Sequence, residues 1–298
     1  GFSVSNKIAE LNSISANGII DDNLKWNNLN AISTKEGYTI SSERSQIIRE
    51  SFLTRINYNF KSNYYLTFTA RADGSSNFAE NNKWAFFPSG AFKWNIKNEP
   101  FMRKVRWIDN LSIRLSAGIT GNDAISPYRS LGVYGSSTNG AVFEGSQSAG
   151  FYPSRIPNPD LTWEKTKSAN VGLDFSAFNG RFNLTADAYA SYTTDLLLTL
   201  KLIQSTGFNS RLTNLGATSN IGGEITINTV NFEKRNFGWQ TNLTISHNRQ
   251  MVEDIGQEEY VSVMSGSGYM MYGYKKDYPL NSLWGFEYAG VFHDIDEV

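Results

Sequence analysis

The run Arg55-Ile56-Asn57-Tyr58-Asn59-Phe60 is followed, after Lys61-Ser62-Asn63, by Tyr64-Tyr65-Leu66-Thr67-Phe68-Thr69-Ala70-Arg71. In the first run Ile56, Tyr58 and Phe60 alternate with Arg55, Asn57 and Asn59. In the second, Tyr64, Leu66, Phe68 and Ala70 alternate with Tyr65, Thr67, Thr69 and Arg71. Successive side chains of a strand point to opposite faces, so a period of two gives each strand one apolar and one polar face. The tight connection Phe60-Lys61-Ser62-Asn63 makes the pair a hairpin.

The same period extends outward in both directions. It recurs at Phe92/Trp94/Ile96, Leu111/Ile113/Leu115, Val171/Leu173/Phe175, Phe182/Leu184/Ala186, Ile221/Ile225/Ile227 and Trp239/Leu243/Ile245. No stretch sustains a 3.6-residue period, and the chain reads as all-β. Strands are predicted near 47–60, 64–72, 88–97, 110–120, 164–177, 181–195, 216–230, 237–250 and 284–292. Short turns at 60–63, 178–181 and 231–236 alternate with long connections near 73–87, 121–163, 196–215 and 251–283. The stretch 98–109 is intermediate and reads as a short helical turn. This alternation puts the short turns at one end of an antiparallel up-and-down meander, the asymmetry of outer-membrane barrels. The polar faces suit a wet lumen, and Tyr and Trp near strand ends suit an interfacial belt. The runs at 164–177, 181–195 and 216–230 exceed the roughly 9–11 residues needed to span a membrane. An odd count of about nine strands leaves open edges that lipid cannot satisfy, so the expectation is part of a larger barrel. Residues 1–46 read as a long extracellular loop region after a truncated strand, and 47–298 as the partial barrel.

Composition narrows the function. Of 298 residues, 27 are basic and 28 acidic, so no cationic excess is available for nucleic acid. Cysteine is absent and there are two histidines, which removes thiolate chemistry and thins the provision for metal or acid–base work. Charged residues make up 18% and aromatics 14%, the first low for a soluble domain. No apolar run reaches the 18 or so residues of a membrane helix, a limit that does not apply to strands.

Several motifs then occur in a fixed order. They include Arg71-Ala72-Asp73-Gly74-Ser75-Ser76-Asn77-Phe78, Trp84-Ala85-Phe86-Phe87-Pro88-Ser89, Glu99-Pro100-Phe101 and Ser116-Ala117-Gly118-Ile119-Thr120-Gly121-Asn122. Asn158-Pro159-Asp160-Leu161-Thr162-Trp163-Glu164, Thr206-Gly207-Phe208, Asn214-Leu215-Gly216 and Asn220-Ile221-Gly222-Gly223-Glu224 follow. In this order they resemble the barrel region of the SusC/RagA family, the TonB-dependent outer-membrane transporters of Bacteroidota. The resemblance covers nearly the whole chain, most clearly 47–250. It implies about nine or ten strands of a barrel of about 22, with a plug, energised through TonB. It also implies import of glycans or peptides with a SusD-like surface lipoprotein as lid.

The search for chemistry returns little. His247 falls on an apolar strand face, and His293 with Asp294, Asp296 and Glu297 lacks the glycine and spacing of a calcium loop. No zinc-protease, Walker or nucleophile-elbow pattern occurs, and Gly266-Ser267-Gly268 reads as a loop tip. The acidic pairs Asp21-Asp22 and Glu258-Glu259 sit in polar loops, so the expectation is no enzyme and no cofactor. Asn-x-Ser/Thr at Asn110, Asn183 and Asn242 falls within strands. Loop aromatics and their neighbours are the candidates for ligand or partner contact: Trp84, Phe86, Trp163 with Glu164, Tyr269 and Tyr272, and Asp73. Each has a structural reading beside the functional one: a membrane-interface anchor for the tryptophans, a tight turn for Asp73. A soluble secreted carbohydrate-binding module is the alternative to the importer. What the apolar faces touch separates the two: each other in a sandwich, lipid in a barrel.

Overall fold

The computed structural model describes residues 1–17, 38–143, 146–256, 260–265, 270–280 and 282–285. In chain order the strands are β1 (Phe2–Ala16), β2 (Tyr38–Phe60), β3 (Tyr64–Ser75), β4 (Trp84–Asn95), β5 (Ile108–Asn122), β6 (Val133–Phe143), β7 (Ser146–Arg155) and β8 (Glu164–Ala177). They continue with β9 (Phe182–Thr194), β10 (Leu197–Lys201), β11 (Ser210–Asn214), β12 (Ala217–Lys234), β13 (Phe237–Asp254), β14 (Tyr260–Ser265), β15 (Met270–Lys275) and β16 (Ser282–Gly285). Nine of them form one antiparallel sheet in the order β1-β2-β3-β4-β5-β8-β9-β12-β13. The remaining strands build small sheets within the long connections: β6-β7, β10-β11 and β14-β15-β16.

Register carries the period-two pattern across the sheet. Tyr58 faces Leu66, Leu66 faces Phe92, Phe92 faces Leu115, and Leu115 faces Val171. On the other side Thr67 faces Ala91, Ala91 faces Ser116, Ser116 faces Asn170, and Asn170 faces Tyr189. A one-residue slip anywhere would invert this division, so the pattern fixes the register. The apolar side meets no second layer among the described residues. Val171 at the middle of β8 is 54% exposed and Ile221 of β12 is 62% exposed. A sandwich would bury these side chains against a facing sheet; here they form a continuous outward band, as lipid requires.

At the turn end the chain reverses tightly. Lys61 and Ser62 take left-handed φ values of 53° and 57°, as do Phe178, Asn179 and Gly180 in the β8–β9 turn. The amide of Asn63 closes the first turn onto the carbonyl of Phe60 at 3.1 Å. Adjacent turns are laced together: Arg181 donates to the carbonyls of Val230 and Asn231, and Asp109 accepts from the amide of Gly180. Between β4 and β5 the chain makes two single 3-10 turns, Ile96–Asn98 and Pro100–Met102. Aromatic rings girdle this end, with Tyr64 stacked on Trp94, Trp107 on Phe178, and Phe232 on Trp239.

Two expectations are corrected. Residues 1–46 are not one long loop: Phe2–Ala16 is a strand paired along its length with β2, which itself starts at Tyr38. Its outward positions Phe2, Val4, Ile8 and Ile14 are apolar, but Asn6 and Glu10 interrupt them and Leu11 breaks the alternation. Backbone pairing with β2 and the Arg44–Glu10 ion pair, at 3.3 Å, hold it instead. The strand expected at 284–292 lies largely outside the described residues; its first two residues belong to β16, which pairs with β15 and not with the large sheet.

Candidate functional site: the polar wall and the loop-end knot

The polar face of the sheet and the connections above it form one continuous surface. A cavity of about 640 Å³ runs along it, lined by residues of β2, β3, β4, β5, β8 and β9 that include Arg49, Arg71, Asp73, Asn170 and Tyr189. Nearest the turn end, Arg114 of β5 reaches across β8 to both Asp174 and Asp187, at 3.0 and 2.9 Å. Gly172 lies under the guanidinium: a Cβ there would come within 2.6 Å of Arg114 Cζ and Asp187 Oδ1. The glycine therefore makes the two-strand crossing possible. Nearer the loop end, Arg71 pairs with Asp73 at 2.7 Å and Arg49 with Asp123 at 2.6 Å. Such a wall offers fixed donors and acceptors to a polar body inside it.

Above the wall, the connections fold onto one another. Phe78, Phe87, Leu161 and Trp163 form a buried cluster, flanked by Ile119, Ile125 and Leu212. Trp163 is 5% exposed, its ring edge-on to Phe87 and tilted against Phe78, and its indole N–H donates to the Lys83 carbonyl at 3.0 Å. Asparagines pin the same segments. Asn77 donates to the carbonyls of Asp123 and Ile125, Asn158 to that of Leu212, and Asn214 to that of Thr162. These are residues of the motifs quoted above. Their spacing along the chain reflects ties between connections that are distant in sequence.

The candidate residues separate accordingly. Asp73 is buried and ion-paired with Arg71. Glu164 accepts from Asn122 Nδ2 at 3.2 Å and from the Leu197 amide at 3.4 Å, closing the base of the knot. Trp163 is a core residue packed against Phe78 and Phe87. Trp84 and Phe86 point outward from β4, where Trp84 stacks on Phe52 and covers Gly74. Tyr272 lies on β15, and Tyr269 lies outside the described residues. The structure thus brings Asp73 and Trp163 to the cavity lining, ties Glu164 into the base of the knot, and turns Trp84 and Phe86 away from it.

A family model described as TonB dependent receptor-like, beta-barrel matches residues 12–293. The chain belongs to the TonB-dependent receptor β-barrel family. It is 38% identical over 248 residues to TonB-dependent receptor P26 of Formosa agariphila, covering 83% of this chain and 25% of that protein. It is 34% identical over 250 residues to TonB-dependent receptor SusC of Bacteroides thetaiotaomicron, covering 80% of this chain and 25% of that protein. The solved structure of the RagAB peptide transporter superposes with a TM-score of 0.77 at 25% identity, over 92% of this chain and 30% of that one. The chain therefore spans about a quarter of the length of the curated relatives it matches. As a TonB-dependent receptor barrel of the SusC/RagA branch, it sits in the outer membrane, with its apolar band toward lipid.

Proposed function

We propose that the chain supplies part of the wall and outer vestibule of a TonB-dependent importer of glycans or peptides. The observation that carries this reading is the division of one sheet into an unpartnered outward apolar band and an inward wall of paired ions and amides. A wet, hydrogen-bonding lumen suits polar cargo, and the loop-end knot gives the vestibule a rigid rim. In this reading a SusD-like surface lipoprotein closes over the rim and TonB acts through a plug within the receptor. The β14–β16 sheet with Tyr272, and the adjacent Tyr269, are proposed to contact the lid or the cargo. Trp84 and Phe86 are proposed as membrane anchors. The chain's part is structural and binding, not catalytic.

The experiment is uptake by cells carrying the full-length receptor, with and without TonB, on panels of labelled oligosaccharides and peptides. Accumulation that requires both receptor and TonB is expected for one class. Equal accumulation in receptor-deleted cells for every member of both panels would overturn the reading.

A further inference from the structure

Three arginines on neighbouring loop-end segments hold no carboxylate among the described residues. Arg129 lies between β5 and β6, Arg155 ends β7, and Arg211 is in β11. Their segments are tied through Asn158, whose amide donates to the Ser130 carbonyl at 2.9 Å and whose Oδ1 accepts from Arg211 at 2.8 Å. All three are half-buried. The Nε atoms of Arg155 and Arg211 are buried with no hydrogen-bond partner, and none of the three forms an ion pair among the described residues. The contrast with the wall is direct, since Arg49, Arg71 and Arg114 each hold a carboxylate. Removing a cation from water without a counter-charge is costly, and two like charges side by side add to that cost. Burial first, and then the neighbouring charge of Arg129, pull the pKa of Arg155 down. A guanidinium fork matches the oxygens of a carboxylate or sulfate.

The same hairpin shows flat rings to solvent. Tyr134 of β6 and Phe151 of β7 are 73% and 78% exposed. Rings of this kind cover the apolar faces of sugars, and so favour a saccharide over a bare peptide as the carrier of the anion.

We propose that Arg129, Arg155 and Arg211 form an oxyanion subsite of the vestibule for the carboxylate or sulfate of an anionic glycan, whose rings lie along the β6–β7 aromatics. The proposal rests on the importer reading and names its substrate class.

Arginine footprinting with phenylglyoxal on the full-length receptor, read by mass spectrometry, tests it. The probes are tetragalacturonate and a sulfated carrageenan tetrasaccharide, each beside its neutral counterpart, carboxyl-reduced or desulfated, and an acidic peptide. One acidic saccharide is expected to slow labelling at Arg129 and Arg155 about tenfold, while its neutral counterpart does not. Which one protects tells carboxylate from sulfate. In Arg155→Gln protection at Arg129 is expected to disappear, and in Arg155→Lys to return in part, with heat-modifiable migration on gels confirming a folded barrel. Labelling unchanged by every saccharide, equal protection by the neutral forms, or protection by the acidic peptide alone would overturn it. Uptake measured in parallel separates the two readings. Protection without TonB-dependent uptake keeps the subsite and removes the importer, whereas uptake of these saccharides without protection removes the subsite.

Discussion

Tryptophan does opposite work at the two ends of this sheet. At the turn end, Trp239 stacks on Phe232 and stays 51% exposed, on the side that meets lipid. At the loop end, Trp163 is 5% exposed and sits between Phe78 and Phe87. A lipid-facing ring needs only an apolar medium and a place for its N–H near the interface. A ring buried in protein needs shape-matched neighbours and a specific acceptor, here the Lys83 carbonyl. The difference implies that the turn end tolerates exchange among aromatics, while the loop end depends on individual residues.

The largest expected effect follows from that contrast. Trp163→Ala should cost the knot about 3–5 kcal/mol, the range for a buried aromatic truncation, and Trp239→Ala about 0.5–1.5 kcal/mol, the worth of one aromatic pair. Hydrogen exchange in the full-length receptor reads this directly. In the first variant protection should collapse across 73–83 and 158–163 while the large sheet keeps its own. Equal losses from the two truncations would break the comparison.

The second sharpens the division between faces. Val171→Arg places a charge at the middle of the lipid band and should cost about 2–4 kcal/mol in urea unfolding of the lipid-embedded barrel. Asn170→Arg, one residue away on the wall, should cost far less. If both were tolerated equally, the outward assignment of Val171 would be wrong. A third acts within the wall. Gly172→Ala should push Arg114 off Asp187 and cost about 1–3 kcal/mol, as for a lost charged hydrogen bond. The effect should shrink in an Asp187→Asn background, because the two sites share one interaction.

The same physics explains what was legible in sequence. Eight strands of the large sheet follow from alternation, because water on one side and lipid on the other impose a period of two on every residue between them. β1 escaped because it extends the sheet with polar outward positions such as Asn6 and Glu10. The β6–β7 hairpin escaped because its Gly, Ser and Asn residues carry no alternation. The outward setting of Trp84 was open as an anchor from its position near a strand end. The burial of Trp163 was not, since its neighbours Phe78, just after β3, and Phe87, in β4, lie some eighty residues earlier in the chain. The arginine cluster is the extreme case: Arg129, Arg155 and Arg211 share no local spacing, and their segments meet through the β6–β7 pairing and the ties to Asn158.

The smallest expected effect probes how firmly the turn end is held. Glu99, between the two 3-10 turns, accepts from the Tyr64 hydroxyl at 2.7 Å and from the Trp94 indole N–H at 3.0 Å. The bond from Tyr64, and then that from Trp94, hold its pKa below the ordinary glutamate value of about 4.5. With the folded pKa depressed, the stabilisation is fully present above the unfolded value and is lost as pH falls through the folded one. Unfolding of the wild-type barrel should therefore become easier as pH falls below the ordinary glutamate range by more than in Glu99→Gln, whose amide oxygen keeps an acceptor but does not titrate. Glu99 is only half-buried, so the difference should be small and should weaken with salt. Parallel pH profiles for the two proteins would mean that the girdle is held by lipid alone. A gap confined to acid pH would mean that this buried-versus-exposed division of the aromatics has an intermediate case, where the half-buried rings of Tyr64 and Trp94 are also anchored by a specific bond.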